Sequence, residues 1–289
     1  MRRTHTRIQP KRMRAIGKRP SNLRPMAPAI MAPLLADDGC YETGDAVSGS
    51  RNVVMDFGAQ TTDGASSDGW GADLFGIGLL PDSASSGATV ENDYKDFVNG
   101  WRYCSTSVPG WVGLGTNDSA GPVGTTSGEV WGNLTTALRN VYDDNVDVRG
   151  GDDIETDYAA PGAAKDWIGG SATPAQRGSS GTAGFQASGN SYFDYGDAAG
   201  CQASGSCNNS WTDLEVYDKD YGYAGAVPMP ESYTQGQASD WTSVDDNAGS
   251  PVYDSVMATS SYDTPQTGWQ YLANATGQNA PSVTTIQSM

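Results

Sequence analysis

The sequence predicts an α/β fold, specifically a (β/α)8 TIM-barrel-like single domain preceded by a disordered basic leader. Three observations support this prediction. Eight short apolar segments recur along the chain, amphipathic helical patterns separate most of them, and eight tryptophans and fourteen tyrosines can fill a packed interior. Strands alternating with helices are typical of parallel βαβ units, and eight such units favour a closed barrel.

A doubly wound open sheet is the alternative architecture. Such a sheet normally carries a glycine-rich phosphate loop after its first strand. The segment 56–62 has neither the dinucleotide-binding spacing nor that of a nucleotide-binding P-loop, so the barrel is the favoured architecture.

The predicted strands are short apolar runs separated by polar or glycine-rich segments. They cover residues 52–56, 72–77, 111–115, 146–149, 191–195, 226–229, 256–258 and 283–286.

Two segments between these strands show a helical period. Residues 89–104 place apolar side chains on one face of a helix, and residues 126–141 repeat the pattern. The apolar positions are Val90, Tyr94, Phe97, Val98 and Trp101 in the first segment, and Val130, Trp131, Leu134, Leu138 and Val141 in the second. Four later segments each carry one tryptophan that we expect to anchor a helix against the sheet: Trp167, Trp211, Trp241 and Trp269.

Charge is distributed unevenly along the chain. Nine of the 17 Lys and Arg residues fall within residues 1–24, whereas all 34 Asp and Glu residues follow, so the balance from residue 25 onward is 8 − 34 = −26. Such a surface repels phosphate backbones and anionic lipid. We therefore expect no nucleic-acid or membrane partner, and neutral polymers or cations suit the body better.

The first 39 residues have the order of an export signal. A basic region is followed by a short apolar region and a small residue, Ala36, before Asp37. A disordered basic tail, or a start codon upstream of the true one, is the alternative. We expect residues 1–39 to be the leader and residues 40–289 to form the barrel domain of a secreted, monomeric protein.

Four cysteines in a chain with an export signal suggest two disulfides. Cys201 and Cys207 close a glycine- and serine-rich loop, which leaves Cys40 to meet Cys104. A structural zinc site is disfavoured because no C-x-x-C pair or nearby histidine is present.

Acidic side chains follow several predicted strands, where reactive groups of (β/α) barrels gather. With a period of two, Arg149, Asp153 and Glu155 share one face of the fourth strand, while Val148 and Ile154 lie on the other. If the apolar face packs under the helices, Asp153 and Glu155 point into the barrel mouth. Carboxylates this close have their pKa values driven apart, which acid/base catalysis requires.

The sixth strand carries a second candidate acid. Glu231 and Tyr233 share a face, and prolines 228 and 230 interrupt backbone pairing just before them. Glu155, Glu231 and Asp153 are the predicted catalytic residues. The predicted substrate-binding residues are Asp56, Asn117, Arg149, Tyr192, Asp194 and Tyr233.

The absence of histidine from the body excludes several mechanisms. The chain's one histidine, His5, lies in the leader, so Ser-His-Asp and Cys-His hydrolysis lack their base. No cofactor is expected, although calcium or magnesium held only by oxygen ligands stays open. Acid-pair hydrolysis of glycosidic bonds needs only two positioned carboxylates and remains possible.

Five segments of the chain resemble, in the same order, a group of uncharacterised exported bacterial proteins that is itself similar to glycoside-hydrolase-like (β/α) barrels. The segments are 54–58, 113–117, 148–155 with Trp167, 192–201 and 228–233, and the resemblance spans roughly residues 40–288. The resemblance implies a barrel fold and gives little indication of a reaction. Where that group carries a histidine before the third helix, this chain has Thr126-Ser127-Gly128, so no histidine role carries over.

The sequence therefore leaves two main predicted functions. The first is a secreted glycoside-hydrolase-like protein that acts on a polysaccharide or cell-wall glycan through a carboxylate-lined barrel mouth. The second is a non-catalytic glycan-binding or cell-surface barrel. A third and weaker interpretation makes the acids a salt-adapted surface.

Overall fold

A computed structural model describes residues 51–61, 71–73, 86–104, 110–118, 124–142, 146–169, 183–223, 225–249, 253, 256–257, 265–278 and 283–288. The predicted leader, residues 1–39, lies outside this part of the chain. The α/β class is confirmed. The strands are β1 (Arg51–Thr61), β2 (Gly71–Asp73), β3 (Gly110–Asn117), β4 (Asp147–Asp153), β5 (Tyr192–Asp194), β6 (Ala226–Pro228), β7 (Val256–Met257) and β8 (Val283–Ser288). The helices are α1 (Ser86–Cys104), α2 (Thr125–Val141), α3 (Pro161–Ile168), α4 (Asp213–Tyr217), α5 (Gln235–Asn247) and α6 (Pro265–Thr276).

Seven of the strands run parallel in one sheet. Their order is β6-β5-β4-β3-β1-β8-β7. A single parallel bridge between Glu231 and Met257 joins the two ends of that order. The Met257 N–H donates to the Pro230 carbonyl at 3.0 Å, and the Ser232 N–H donates to the Met257 carbonyl at 3.0 Å.

A full barrel of eight parallel strands is not shown, because β2 runs antiparallel. It pairs with the end of β1, with Ala59 opposite Asp73 and Thr61 opposite Gly71. The intervening residues 62–70 are too few for a parallel crossover, which needs a dozen residues or more. The second predicted strand, 72–77, therefore forms a hairpin with β1 over its first residues, and its remainder lies outside the described residues.

The helices pack on one face of the sheet through the predicted apolar positions. All five predicted positions of α1 are buried, from Val90 to Trp101. Helix α2 buries Trp131, Leu134 and Leu138. Val141, the last residue of α2, is 52% exposed, so its predicted place in the core is wrong. The anchors Trp167, Trp211 and Trp241 are buried, and Trp269 packs against the same core.

The other face of the sheet encloses a second, smaller cluster of Val54, Trp111, Phe193, Tyr195, Met229 and Met257. These residues come from strands at both ends of the order, so the sheet curves around them. Gly115 on β3 allows this packing, since a Cβ there would lie 2.7 Å from the Tyr195 hydroxyl oxygen.

One predicted disulfide is present, between Cys201 and Cys207. Cys104 is also disulfide-bonded, but its predicted partner, Cys40, lies outside the described residues, and that pairing stays a prediction. Disulfides are typical of proteins in oxidising compartments. No helix within the described ranges is long and apolar enough to cross a membrane.

Candidate functional site

The predicted acids of β4 lie on the enclosed face of the sheet. Val148 and Ile154 belong to the core under the helices. Because side chains alternate along a strand, Asp153 faces the opposite side, which is the enclosed face that carries the second cluster. Strand β4 ends at Asp153, and Glu155 follows at the carboxyl edge of the sheet.

Three carboxylates converge at this edge. One oxygen each from Asp153, Glu155 and Glu231 lies within 4.8 Å of the other two. Glu231 is buried, whereas Asp153 and Glu155 are half-buried. The structure thus brings together all three predicted catalytic residues, from the ends of two strands.

The backbone of Glu231 is fixed on three sides. Its N–H donates to the Gly196 carbonyl at 3.1 Å, and its carbonyl accepts the Trp241 indole N–H at 2.9 Å. It also forms the bridge to Met257 that joins the ends of the sheet. The proline-interrupted strand end therefore delivers Glu231 in one defined place.

The N-terminus of α5 orients the Glu231 side chain. Thr234 and Gln237 form a capping box. The Gln237 backbone N–H donates to the Thr234 hydroxyl, and the Gln237 side-chain oxygen Oε1 accepts the Thr234 backbone N–H. This leaves the Gln237 amide Nε2 to donate to Glu231 Oε1. The Tyr233 hydroxyl is a second partner of the same carboxylate.

Glu155 is held mainly through its backbone. Its N–H donates to Asp118 Oδ2 at 3.2 Å, and its carbonyl accepts the N–H groups of Tyr158 and Ala159. The turn formed in this way places Tyr158, which is 56% exposed, beside the cluster. Glu155 contributes the largest of the charge effects that raise the pKa of Tyr158.

Burial and mutual repulsion raise the pKa values of all three acids. Burial raises the pKa of Glu155 to about 7, with Asp197 adding to the rise and the charge of Lys219 opposing it. Burial and the charge of Glu155 raise the pKa of Glu231 to about 8. The pKa of Asp153 lies well above its usual range, because its carboxyl group is withdrawn from water and faces both glutamates. Near neutral pH the cluster therefore retains protons.

Asp56 and Asn117 line the same edge from β1 and β3. The register between these strands shifts just after Asp56, and the Gly58 N–H donates to Asp56 Oδ1 at 2.8 Å. Side-chain hydrogen bonds from Tyr195 and Asn117 also reach this carboxyl group, yet burial dominates and raises the pKa of Asp56 to about 6. The charge of Asp56 in turn contributes to the raised pKa of Asp153.

Asp194 is not part of the enclosed face. It is fully buried, and its Oδ2 accepts a hydrogen bond from Lys219 Nζ at 2.7 Å. A second carboxylate, Asp220, lies 3.4 Å from the same nitrogen. Burial alone would lower the pKa of Lys219, but the charges of Asp194 and Asp220 outweigh it and raise the pKa.

Tyr192 and Arg149 also lie away from the three carboxylates. Tyr192 packs in the core under the helices, and its hydroxyl donates to the Lys219 carbonyl at 2.6 Å. Arg149 lies over the Trp111 ring and pairs with Asp147 at 2.8 Å. Four residues of strand separate it from Asp153, or about 13 Å. The structure therefore does not bring these two predicted substrate-binding residues, or Asp194, to the edge where the acids meet.

Three residues at the site were missed from the sequence: Lys219, Gln237 and Asp118 as a partner of Glu155. A signal existed for Lys219, because only eight Lys and Arg residues follow residue 24 and this one is flanked by aspartates. Gln237 stands three residues after Thr234, the capping-box spacing that marks a helix start. Asp197, whose charge adds to the rise in the pKa of Glu155, stabilises a turn by accepting the Ala199 N–H at 3.0 Å.

The three carboxylates also form a donor set for a hard divalent cation, since calcium takes carboxylate oxygens. A second set, Cys201, Cys207 and Asp213, has the proximity but not the chemistry. Its two sulfurs are joined in the disulfide and offer no thiolate.

We compared the chain with known proteins. No family model, curated protein or solved structure matches it significantly.

Proposed function

We propose that this protein is an exported glycosidase that hydrolyses a neutral polysaccharide, with Glu155 and Glu231 as its working pair. The observation that carries the proposal is the proximity of their oxygens, within 4.8 Å. In retaining glycosidases the two carboxyl groups stand about 5–5.5 Å apart, and in inverting ones about 6.5–9.5 Å. The spacing therefore favours the retaining mechanism.

The surroundings of the two glutamates suggest their roles. Glu231 is the more buried, and its pKa of about 8 keeps it protonated at neutral pH, which suits the general acid. Glu155 is half-buried, has a pKa of about 7 and feels the positive charge of Lys219, which suits the nucleophile. In general, environments that drive two carboxyl pKa values apart assign such roles.

The reaction then proceeds in two balanced steps. The Glu155 carboxylate attacks the anomeric carbon, the bond to the glycosidic oxygen breaks, and that oxygen takes the proton of Glu231. Water next attacks the glycosyl ester, gives a proton back to Glu231 and releases Glu155 as a carboxylate. Both side chains return to their starting states.

Neighbouring groups are suited to binding sugar. The pKa of Asp153 lies well above its usual range, and its protonated form can donate to a sugar hydroxyl without adding charge. Tyr158 is 56% exposed beside Glu155 and offers an aromatic face to a pyranose ring. Asp56, Asn117 and Tyr233 complete the polar lining.

The rest of the chain supports a neutral glycan outside the cell. A balance of −26 from residue 25 onward repels polyanions, and the Cys201–Cys207 disulfide suits an oxidising compartment. The parallel order whose ends meet at Glu231 and Met257 supports a (β/α)-barrel-like fold with the acids at its mouth.

The test is hydrolysis of a panel of neutral polysaccharides, followed by reducing-end release. Wild type should cleave at least one of them. Glu155→Gln and Glu231→Gln should each lower kcat by about 10³-fold or more with the fold intact, because each removes a group on the reacting atoms. Glu129→Gln on α2 is the matched control and should retain wild-type activity.

A non-catalytic glycan-binding protein is the competing function. Binding of a panel member without release of reducing ends would favour it and would sink the enzyme. The absence of any glycan binding, together with stability that rises steeply with salt, would instead favour a salt-adapted acidic surface.

A further inference from the structure

Lys219, whose charge acts on Glu155, is buried and pairs with Asp194 at 2.7 Å. We infer that Lys219 and Asp194 are positioning residues that fix Glu155 and Glu231 relative to each other. The inference rests on the proposed function for its catalytic consequence, although the arrangement itself concerns only this chain's own residues.

Asp194 ties together the two backbone segments that carry the glutamates. Its Oδ1 accepts the Ile154 N–H at 3.2 Å and the Gly196 N–H at 2.9 Å. Ile154 directly precedes Glu155, and the Gly196 carbonyl accepts the Glu231 N–H at 3.1 Å. One carboxylate oxygen therefore connects both glutamates through one hydrogen bond on one side and two on the other.

Lys219 holds the other oxygen of Asp194 and reaches Glu231 by a second route. Its Nζ lies 2.7 Å from Asp194 Oδ2 and 5.7 Å from the centre of the Trp241 ring. The Trp241 indole N–H binds the Glu231 carbonyl at 2.9 Å. Movement of Lys219 would thus disturb the supports of both glutamates.

The backbone of Lys219 is itself unusual. It lies in a single π-helical turn, Asp218–Gly222, that follows α4, and its carbonyl accepts the Tyr192 hydroxyl at 2.6 Å. Single π-turns are frequent at functional sites. This turn places the ammonium group inside the protein, and the Lys219 side chain is only 1% exposed.

A buried ion pair is a costly way to fill a core. Apolar residues of similar volume are often as stable or more so, because two charges lose their hydration. The presence of Lys219 and Asp194 at this place is therefore better explained by the geometry and charge they impose than by stability. The charge acts directly, since Lys219 opposes the rise in the pKa of Glu155.

Two double variants separate the backbone tie from the charge. Asp194→Asn/Lys219→Met, the charge-only variant, keeps an oxygen acceptor for the two N–H groups but removes both charges, of which the Lys219 charge has the larger effect on the pKa of Glu155. Asp194→Leu/Lys219→Met, the tie-and-charge variant, removes the acceptor as well. Changing Asp194 and Lys219 together leaves neither of them unpaired, and Asp220 loses its Lys219 partner equally in both variants. Glu91→Gln/Lys95→Met, which removes an ion pair on α1, is the control.

The tie-and-charge variant should lose about 10²-fold in kcat with KM within about threefold of wild type, the effect of misplacing a reacting group by about 1 Å. The charge-only variant should keep most of kcat, while the acidic limb of its kcat/KM profile moves to higher pH. The control should match wild type in both. Wild-type kcat and an unmoved pH profile in folded variants would overturn the inference.

A second readout separates this inference from the proposed function. Carbon-13 NMR of glutamate-labelled protein follows the Glu155 carboxyl directly and requires no substrate. Its pKa should rise in the charge-only variant and stay unchanged in the control, even if wild type cleaves no glycan. An unchanged Glu155 pKa in the charge-only variant would overturn the role of Lys219, whatever the enzyme assay shows. The NMR titration also tests that role if the Asp194→Leu/Lys219→Met variant does not fold.

Discussion

Glu155 and Glu231 lie with carboxylate oxygens within 4.8 Å of each other, although they follow different strands. Within the described part of the chain, neither side chain forms an ion pair with a Lys or Arg residue. Gln237 donates to one oxygen of Glu231, and Lys219, which pairs with Asp194, acts on Glu155 through its charge. Retained protons therefore provide the main relief of the repulsion between the two glutamates. The effects of this arrangement on stability, pH dependence and cation binding can be measured.

Stability should fall as the pH rises through neutrality. The folded-state pKa values of Glu155, Glu231 and Asp118 are raised to about 7, 8 and 9, above their unfolded values, so the folded state binds more protons between about pH 5 and pH 8. This contribution to folding stability is complete below the pKa values that these acids have in the unfolded state. It is lost as the pH rises through their pKa values in the folded state. Each such group contributes up to about 1.4 kcal/mol per pH unit.

Thermal unfolding by circular dichroism at a series of pH values checks this sign. The midpoint should be higher near pH 5 than near pH 8, and Glu231→Gln should flatten the curve. A midpoint that rises over the same interval would contradict the raised pKa values.

Calcium should stabilise the protein more at high pH than at low pH. Three carboxylates with oxygens within 4.8 Å form a donor set for a hard cation, but they bind it only when deprotonated. We expect millimolar calcium to raise the unfolding midpoint above neutral pH and to inhibit hydrolysis, since a bound ion removes the Glu231 proton. Sodium chloride at equal ionic strength is the control, and Asp153→Asn should weaken the effect.

Tyr158→Ala should affect substrate binding more than turnover. The ring is 56% exposed beside Glu155, so its removal costs little stability, whereas loss of an aromatic contact with a sugar costs about 0.5–1.5 kcal/mol. KM should rise up to about tenfold with kcat nearly constant. Tyr103→Ala, which removes the 89% exposed tyrosine of α1, should change neither constant.

Reduction of the Cys201–Cys207 disulfide should destabilise the protein modestly. Its sequence separation is 6 residues, and closing a loop that short stabilises by about 2 kcal/mol in the chain-entropy account. The segment just before the loop contacts the turn after Glu155, because the Thr156 hydroxyl donates to the Ala199 carbonyl at 2.8 Å. Denaturant unfolding of Cys201→Ala/Cys207→Ala against wild type measures the loss, and an unchanged midpoint would contradict it.

Much of the fold and the central acids could be predicted because they depend on local periodicity. The helical spacing of Val90 to Trp101 identified the buried face of α1, and the period of two placed Val148 and Ile154 under the helices. Once that face is known, the carboxyl edge of a parallel sheet is the place where Asp153, Glu155 and Glu231 meet.

The remaining site residues could not be placed by periodicity. Tyr192 and Asp194 share one face of β5, but both faces of this strand are buried, so alternation does not say which one is enclosed. Arg149 has the correct face and the wrong height, because a strand advances about 3.3 Å per residue. Lys219 lies in a turn without any repeat, and its importance arises only from tertiary contacts.

The anomeric configuration of the first product tests the central claim most directly. Proton NMR, recorded within minutes of adding enzyme to a polysaccharide that it cleaves, distinguishes retained from inverted sugar. Glu155 as nucleophile and Glu231 as acid predict retention, with Glu129→Gln giving the same product and Glu155→Gln giving none. Inversion, or undiminished release by Glu155→Gln, would contradict the account.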